Sequence, residues 1–293
     1  MILKFILIRE PKVKSQSTFK MSLKYYKNKD LMEVGVDEVA RGCLLGRVYA
    51  AAVIWPKTDP DADPEETFSH PPVRDSKTLS AKQREELKDY IEFKAIDFAV
   101  AYADEKEIDK YNILQASQLA MHRALDQVRS HLDFDHILAD GNYFQPYYTY
   151  THDCIPQGDN KYYSIAAASI LAKVYHDEYI RELVVKHPEL EDYGIDSNMG
   201  YGAPVHLEGI KKYGITPFHR RSFKTCTGVA FRKKNLPPQP RPPPAPKKPK
   251  EPKVITKIVK KKISNKDKVE EKLKALREAK KVTSSQTSSE TTS

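Results

Sequence analysis

The stretch MEVGVDEVARGCLLGRVYAAAVIW (residues 32–55) decides how the chain folds. An apolar run from Met32 to Val36 ends on two adjacent carboxylates, Asp37 and Glu38. A turn-forming segment, Arg41-Gly42-Cys43 to Gly46, follows, and Arg47 to Trp55 is again apolar. Short apolar runs bounded by turn residues predict strands, and two strands joined so tightly run antiparallel. Successive side chains of a strand face opposite sides, so Asp37 and Glu38 reach one ion only if the strand ends or bulges there. Gly35 before the pair and Arg41-Gly42 after it predict such an ending. Taken alone, the pair reads first as a turn-capping acid beside a solvated one, and it is the further acids downstream that turn the reading toward an ion.

Working outward, strand-like and helix-like patterns alternate. Asp59 to Pro72 reads as a Pro- and acid-rich loop. Leu79 to Phe93 has Ser80 as N-cap and Leu87, Tyr90 and Ile91 at helical spacing. Ala95 to Ala103 alternates like a strand, Glu105 to Leu132 is a long helical pattern, and His136 to Ala139 is a short strand. Tyr163 to His187 is a further, Ala-rich helix. Strands followed by helices predict an α/β domain, and the closely joined first strands predict a mixed sheet.

Charge separates this domain from its flanks. The chain has 293 residues and a net charge of +9, but from Arg232 onward 19 Lys and Arg face only 6 Asp and Glu. The basic character therefore belongs to the tail. Nine prolines among the sixteen residues 237–252 exclude helix and sheet there. The expected organisation is a loosely ordered extension over 1–31, a catalytic domain over 32–231 and a mostly disordered Pro/Lys-rich basic tail over 232–293. Met21 is as good a start as Met1.

Three cysteines without C-x-x-C spacing support neither a disulfide framework nor a zinc site. The apolar run in MILKFILIRE (1–10) is too short for a secretory signal or a membrane span. A soluble, cytoplasmic, monomeric protein without membrane contact is expected.

Two more acids occupy apolar settings. Asp140 follows Ile137-Leu138-Ala139 and precedes Gly141-Asn142, where it is either a turn-forming strand end or a ligand at the edge where α/β sheets gather them. Asp177 falls within the apolar stripe of its helix, three residues after Val174 and three before Ile180. An ionised carboxylate there needs a cation, and Lys173, Arg181 or a metal ion would serve. Four converging acids would repel one another unless hard dications neutralised them. With oxygen ligands and no His/Cys cluster, the chemistry points to Mg²⁺ or Mn²⁺. Two such ions about 4 Å apart suit in-line phosphodiester hydrolysis.

The motifs GVDEVARG (35–42), DSKTLS (75–80), LADGN (138–142), SIAAASILAKVYHD (164–177) and GYGAPVH (200–206), in this order, resemble the type 2 ribonucleases H, most closely bacterial ribonuclease HII. The similarity spans about residues 32–223. It implies a ribonuclease H-like mixed sheet flanked by helices. It also implies an endonuclease that cuts RNA in RNA/DNA hybrids and acts at ribonucleotides embedded in duplex DNA, leaving 5′-phosphate and 3′-hydroxyl ends. By resemblance, Asp37, Glu38, Asp140 and Asp177 form the catalytic, metal-binding set. Ala40-Arg41-Gly42 stands where the family has a Gly-Arg-Gly loop that reads the ribose 2′-hydroxyl through its backbone. Tyr201 matches a tyrosine that stacks on the following sugar, and Lys77 a lysine near the substrate phosphate. Ala40 and Ala203 depart from the family's Gly and Thr, and an added methyl at Ala40 restricts positive φ.

His219-Arg220-Arg221 with Phe218 and Phe223 reads either as a phosphate contact beside an aromatic platform or as a charged turn over the core. The tail suits non-specific contact with nucleic acid or with a protein partner. Two other functions fit parts of the sequence. One is a non-catalytic nucleic-acid scaffold acting through the basic tail, and the other is a DNA resolvase-like nuclease of the same fold.

Overall fold

The computed structural model describes residues 23–57, 73 and 76–233. The expected extension before residue 23, the Asp59–Pro72 loop, Asp75 and the tail beyond residue 233 lie outside the described residues. The strands on either side of the decisive turn are β1 (Glu33–Val39) and β2 (Val48–Ile54), paired antiparallel with Val34 opposite Ile54 and Val39 opposite Tyr49. With β3 (Asp97–Ala103), β4 (His136–Asp140) and β5 (Thr151–Ile155) they form a five-stranded sheet in the order β3-β2-β1-β4-β5. β3 joins β2 antiparallel, whereas β1–β4 and β4–β5 are parallel, so the sheet is mixed as expected. β5 has no counterpart in the sequence reading. Its sequence THDCI lacks apolar alternation, and tertiary partners hold it: β4 along one side, and Lys27 and His136 on Asp153.

Three predicted helices form. They are α1 (Ala81–Lys94), α2 (Glu105–His131) and α3 (Tyr163–Lys186). Ser80 and Gln83 close a reciprocal capping box on α1, and Asp104 and Glu107 do so on α2. α2 is broken at Asn112 (φ 69°, ψ 165°), whose side chain accepts from the Gln115 amide and starts the helix again. Among the described residues, two α-helices were not predicted: the short α4 (Ile195–Asn198) and α5 (Pro204–Tyr213).

Alternation along β1 sorts the core. Val34 and Val36 face α2, joined by Ala50, Ala52, Ile137 and Ala139. The opposite face carries Ala51 and Val53 against α3 and the buried Leu87 and Ile91 of α1. A third cluster lies where Leu44 and Leu45 of the β1–β2 turn meet Ile180 and Leu183 of α3, Tyr193, and Ile210 of α5. The turn is therefore clamped between the sheet layer and a C-terminal helical layer. Residues 23–31 also belong to the fold, unlike the loose extension expected. Leu23 is buried, and Lys24 exchanges backbone hydrogen bonds with Lys161 and Tyr163.

Gly35 sets the distance between α3 and the sheet. A Cβ there would stand 2.5 Å from both the carbonyl carbon and the Oγ of Ser164. Helix backbone rests directly on strand backbone at this point, and no flexible side chain can give way. Gly35→Ala is expected to destabilise the fold by about 3 kcal/mol, read from the denaturant midpoint.

Candidate active site

β1 does not end or bulge at Asp37. It stays in register with β2 through Glu38 (opposite Ala50) and Val39 (opposite Tyr49), so Asp37 and Glu38 leave opposite faces. What ends is the β4 side, where the last pair is Val36 with Ala139. Asp37 and Asp140 are the next residues of that parallel register. They project from the same face at the C-terminal ends of adjacent parallel strands, toward α3.

Asp37 is buried, its Oδ1 accepting from the Glu38 amide at 2.7 Å. Burial pushes its carboxyl well above the ordinary carboxylate range, and the charges of Glu38, Asp140 and Asp159 push it further, against a hydrogen bond from Ser169 of α3. Burial also raises Glu38, with Arg41 opposing the shift through an ion pair at 3.0 Å. Asp140 Oδ1 accepts from the Gly158 amide at 2.7 Å. The next residue, Asp159, is 4% exposed, and the exposed Lys77 places its Nζ 3.9 Å from Asp159 Oδ2. Asp159 was not singled out from the sequence. Its signal was Gly158-Asp159 just ahead of the Ala-rich helix, hidden because the preceding strand β5 was not recognised.

Asp177 is placed differently. Its Oδ1 accepts from Lys173 Nζ at 2.7 Å and faces His176 Nδ1 at 3.0 Å, and Arg84 Nη2 stands 3.7 Å from Oδ2. Burial opposes its ionisation, yet the hydrogen bonds from His176 and Lys173 outweigh burial and hold its pKa below the ordinary value. It lies two helical turns beyond Ser169, about 12 Å along the axis. The structure thus does not bring Asp177 into the group around Asp37. Its place in the apolar stripe is explained by ion pairs with Lys173 and Arg84, while Arg181 pairs with Glu85 instead. His176 continues inward, its Nε2 4.0 Å from the buried Cys43 Sγ, a thiol that burial pushes up to about 12.

Among the described residues, no three His, Cys, Asp or Glu side chains form a ready-made metal cage. Asp37, Glu38 and Asp140 are each turned onto a protein donor. By charge and chemistry the donor set nevertheless fits a hard cation: oxygen ligands only, with Asp37 buried, Glu38 and Asp140 half-buried, and the ionisation of Asp37 opposed by its neighbours.

The turn beyond Glu38 supplies a rim. Ala40 is buried and left-handed (φ 71°), the strained setting foreseen for a methyl at that position, and its carbonyl accepts from the Cys43 amide at 3.2 Å. Arg41 and Gly42 are exposed. A Cβ on Gly42 would lie 3.9 Å from the Tyr201 ring, so Gly42 lines an open face beside that ring. Tyr201 is 37% exposed, bridges Cys43 through the backbone, and has Lys173 Nζ 5.6 Å from its ring centre. Ala203 is the N-cap of α5 without a side-chain hydrogen bond, which is what the absent Thr hydroxyl would have offered.

Of the His219-Arg220-Arg221 alternatives, the core turn holds for the first two residues, both at 0% exposure, while Arg221 is exposed. His206 and His219 meet at 3.1 Å through their Nε2 atoms. The outer contacts fix the protons. The Thr216 amide donates to His219 Nδ1, so His219 carries its proton on Nε2 and gives it to His206 Nε2. His206 then donates from Nδ1 to the Tyr201 carbonyl at 2.9 Å. Two neutral imidazoles, packed on the Tyr193 ring, thereby hold the Tyr201 backbone.

Comparison with known proteins agrees with this architecture. The family model described as Ribonuclease HII matches residues 34–226. The chain belongs to the ribonuclease HII family. A ribonuclease HII from Christiangramia forsetii is 49% identical over 202 residues, which is 69% of this chain and 94% of the relative. The crystal structure of ribonuclease H2 from Pyrococcus horikoshii OT3 superposes with a TM-score of 0.53 at 27% identity, covering 66% of this chain and 94% of that one. Bst-RNase HIII in complex with Mn²⁺ shares the fold, with a TM-score of 0.53 at 19% identity, over 66% of this chain and 67% of that one. The expected ribonuclease H-like mixed sheet is borne out, and this ribonuclease HII is a metal-dependent ribonuclease H of type 2. Among the described residues, no helix is long and apolar enough to cross a membrane.

Two outcomes follow for this ribonuclease HII. Asp177→Asn is expected to cost about 3 kcal/mol in thermal or urea unfolding, since it strips a buried ion pair of its anion. Asp159→Asn is expected to unfold no more easily than the parent and to lower turnover on a hybrid more than tenfold. The histidine pair gives the pH dependence. Burial lowers both pKa values, His219 to about 3, so both stay neutral in the fold while the unfolded chain takes up protons below about 6.5. Their contribution to stability is complete above that value and is lost as pH falls toward 3. The melting temperature should drop more steeply between pH 7 and pH 5 in the parent than in His219→Asn.

Proposed function

We propose that this protein is an endonuclease that hydrolyses the RNA strand of RNA/DNA hybrids and cuts 5′ of ribonucleotides embedded in duplex DNA, leaving 5′-phosphate and 3′-hydroxyl ends. The observation that carries the reading is the juxtaposition of Asp37 and Asp140 on one face, each just past the last pair of the parallel β1–β4 register, with Glu38 and Asp159 close enough to raise the charge cost of Asp37. Mg²⁺ or Mn²⁺ would be held by Asp37 and Asp140 from one face and by Glu38 reaching around the open edge that β1 leaves once its pairing with β4 ends at Val36, where the charges of these acids already act on one another, with Asp159 as the fourth acid in place of Asp177. When bound, a pair of such ions supplies an ionised water at neutral pH and a counter-charge for the departing oxygen.

The remaining roles fall to the chain itself. Arg41, paired with Glu38, links the metal-side acids to the Ala40-Arg41-Gly42 loop, so the scissile phosphate and the adjoining ribose are read by neighbouring residues. The exposed Gly42 backbone faces the 2′-hydroxyl, the feature that separates RNA from DNA. Tyr201 offers its ring to the sugar that follows. Lys77, 82% exposed at the edge of Asp159, offers a mobile positive charge to a phosphate. We assign the basic residues of 232–293 to salt-sensitive, non-specific attraction to the duplex, acting on a monomer.

The assay is cleavage of a duplex with one ribonucleotide against an all-DNA duplex, with Mg²⁺ and with Mn²⁺. Cutting of the first alone is expected, and equal cutting of both would refute the reading. Asp37→Asn should abolish turnover while hybrid binding stays within a few-fold of the parent. The variant should also melt higher than the parent without metal, because a desolvated and repelled charge is gone. Added Mg²⁺ should raise the melting temperature of the parent and not of Asp37→Asn.

A further inference from the structure

The largest fully buried side chain in the described structure is a charged one, Arg220. Among the described residues no carboxylate pairs with it. Its guanidinium is instead spent on three backbone carbonyls: Nε to Gly46 at 2.8 Å, Nη1 to Arg41 at 3.0 Å and Nη2 to Arg47 at 3.0 Å. All three belong to the β1–β2 turn. The backbone around Arg220 grips the same segment, with the Arg220 amide donating to Leu44 O at 2.9 Å, the Gly46 amide to Phe218 O at 2.8 Å, and Leu45 bridging His219. The Phe223 ring lies 5.3 Å from the guanidinium carbon. An isolated buried cation is unfavourable unless its fork is fully used, and here three carbonyl dipoles do so.

The carbonyl of Arg41 is the informative one. In a trans peptide the C=O of one residue and the N–H of the next point in opposite directions, and the described chain has no cis peptide. Drawing Arg41 O inward onto Arg220 therefore turns the Gly42 N–H away from the buried guanidinium, at a residue that is itself exposed. Among the described residues nothing accepts a hydrogen bond from that amide.

We propose that Arg220 is a positioning residue that aims the Gly42 amide at the substrate, so that specificity for a ribose is set by a buried arginine that never touches nucleic acid. The inference rests on the reading of Ala40-Arg41-Gly42 as the ribose-sensing loop and deepens it. A lysine cannot reproduce the arrangement, because one ammonium lacks the planar fork that spans three carbonyls.

The test uses the full chain in an Asp37→Asn background, so that substrate stays uncut. Affinities are measured for a duplex with one ribonucleotide and for the matching all-DNA duplex. Adding Arg220→Lys should reduce the ratio of the two affinities at least fivefold while affinity for the all-DNA duplex stays within twofold. A preserved ratio, or an equal fall on both duplexes, would overturn the proposal. Arg220→Ala gives a second arm: methylguanidinium in solution should restore the ratio, and a folded variant that does not respond sinks the idea. Hydrogen exchange reads the clamp itself. Faster exchange should be confined to residues 40–47, with β1 and β4 protected as in the parent, and a uniform rise across the sheet counts against the proposal. If Asp37→Asn alone fails to distinguish the duplexes, the ribose-sensing reading fails, and the exchange pattern still decides whether Arg220 holds the turn.

Discussion

The close seat of α3 on β1 at Gly35 is the constraint from which the rest of the site is built. With backbone against backbone, the helix lies near enough for Ser169 to hydrogen-bond Asp37, one strand repeat along β1 and little more than one helical turn along α3. The same seat fixes what comes just before the helix. The Gly158 amide reaches Asp140, and the next residue presents Asp159 to the same region. A helix lifted by one methyl would carry Asp159 away from Asp37 and Asp140, which strand register alone holds together. The contact is therefore as much a device for assembling the site as for filling the core.

Burial acts on the acids of this protein in two opposite ways, and the difference separates chemistry from scaffolding. Asp37 and Asp177 are equally buried. Asp37 has other carboxylates around it, and burial and their charges oppose its ionisation against the hydrogen bonds from Ser169 and the Glu38 amide. Asp177 is surrounded by Lys173, His176 and Arg84, and its ionisation is favoured. The first is an unresolved electrostatic conflict, of the kind that a bound dication would relieve. The second is a closed network that also anchors the Lys77 turn, since Arg84 donates to the Ser76 and Leu79 carbonyls. Position in an apolar stripe cannot tell these cases apart, because both place a carboxylate out of water.

That limit explains what the sequence could and could not reveal. Periodicity and turn chemistry exposed β1, β2, β3, β4, α1, α2 and α3, since each carries its own local signal, and the motif order exposed the family. β5 escaped because its pairing with β4, not its composition, makes it a strand. Asp159 escaped because it sits in a short turn whose significance comes from Asp140 reaching back to Gly158. The roles of His219 and Arg220 stayed open because the carbonyls and the imidazole that satisfy them lie far away in the chain, where hydropathy is blind. Asp177 was assigned by its motif, and only its partners show that its charge is already answered.

The Ala40-Arg41-Gly42 loop, to which the ribose contact is proposed, is where these threads meet. Ala40 takes a left-handed conformation that its methyl resists, a strain of about 1–2 kcal/mol, so the turn does not hold its shape through local preference. Its shape is imposed from outside. Arg220 draws three carbonyls of the turn inward, Leu44 and Leu45 are packed into the C-terminal helical layer, and the His206–His219 pair fixes the Tyr201 carbonyl on the opposing strand of chain. A loop held this way has little freedom to reorganise when substrate arrives, so discrimination falls to geometry set during folding. A donor fixed in advance loses no entropy on binding and cannot turn away to accommodate a deoxyribose. On the proposed reading, recognition of a single oxygen atom becomes a property of the buried polar scaffold beneath the loop, while the exposed residues supply only the surface on which it is read.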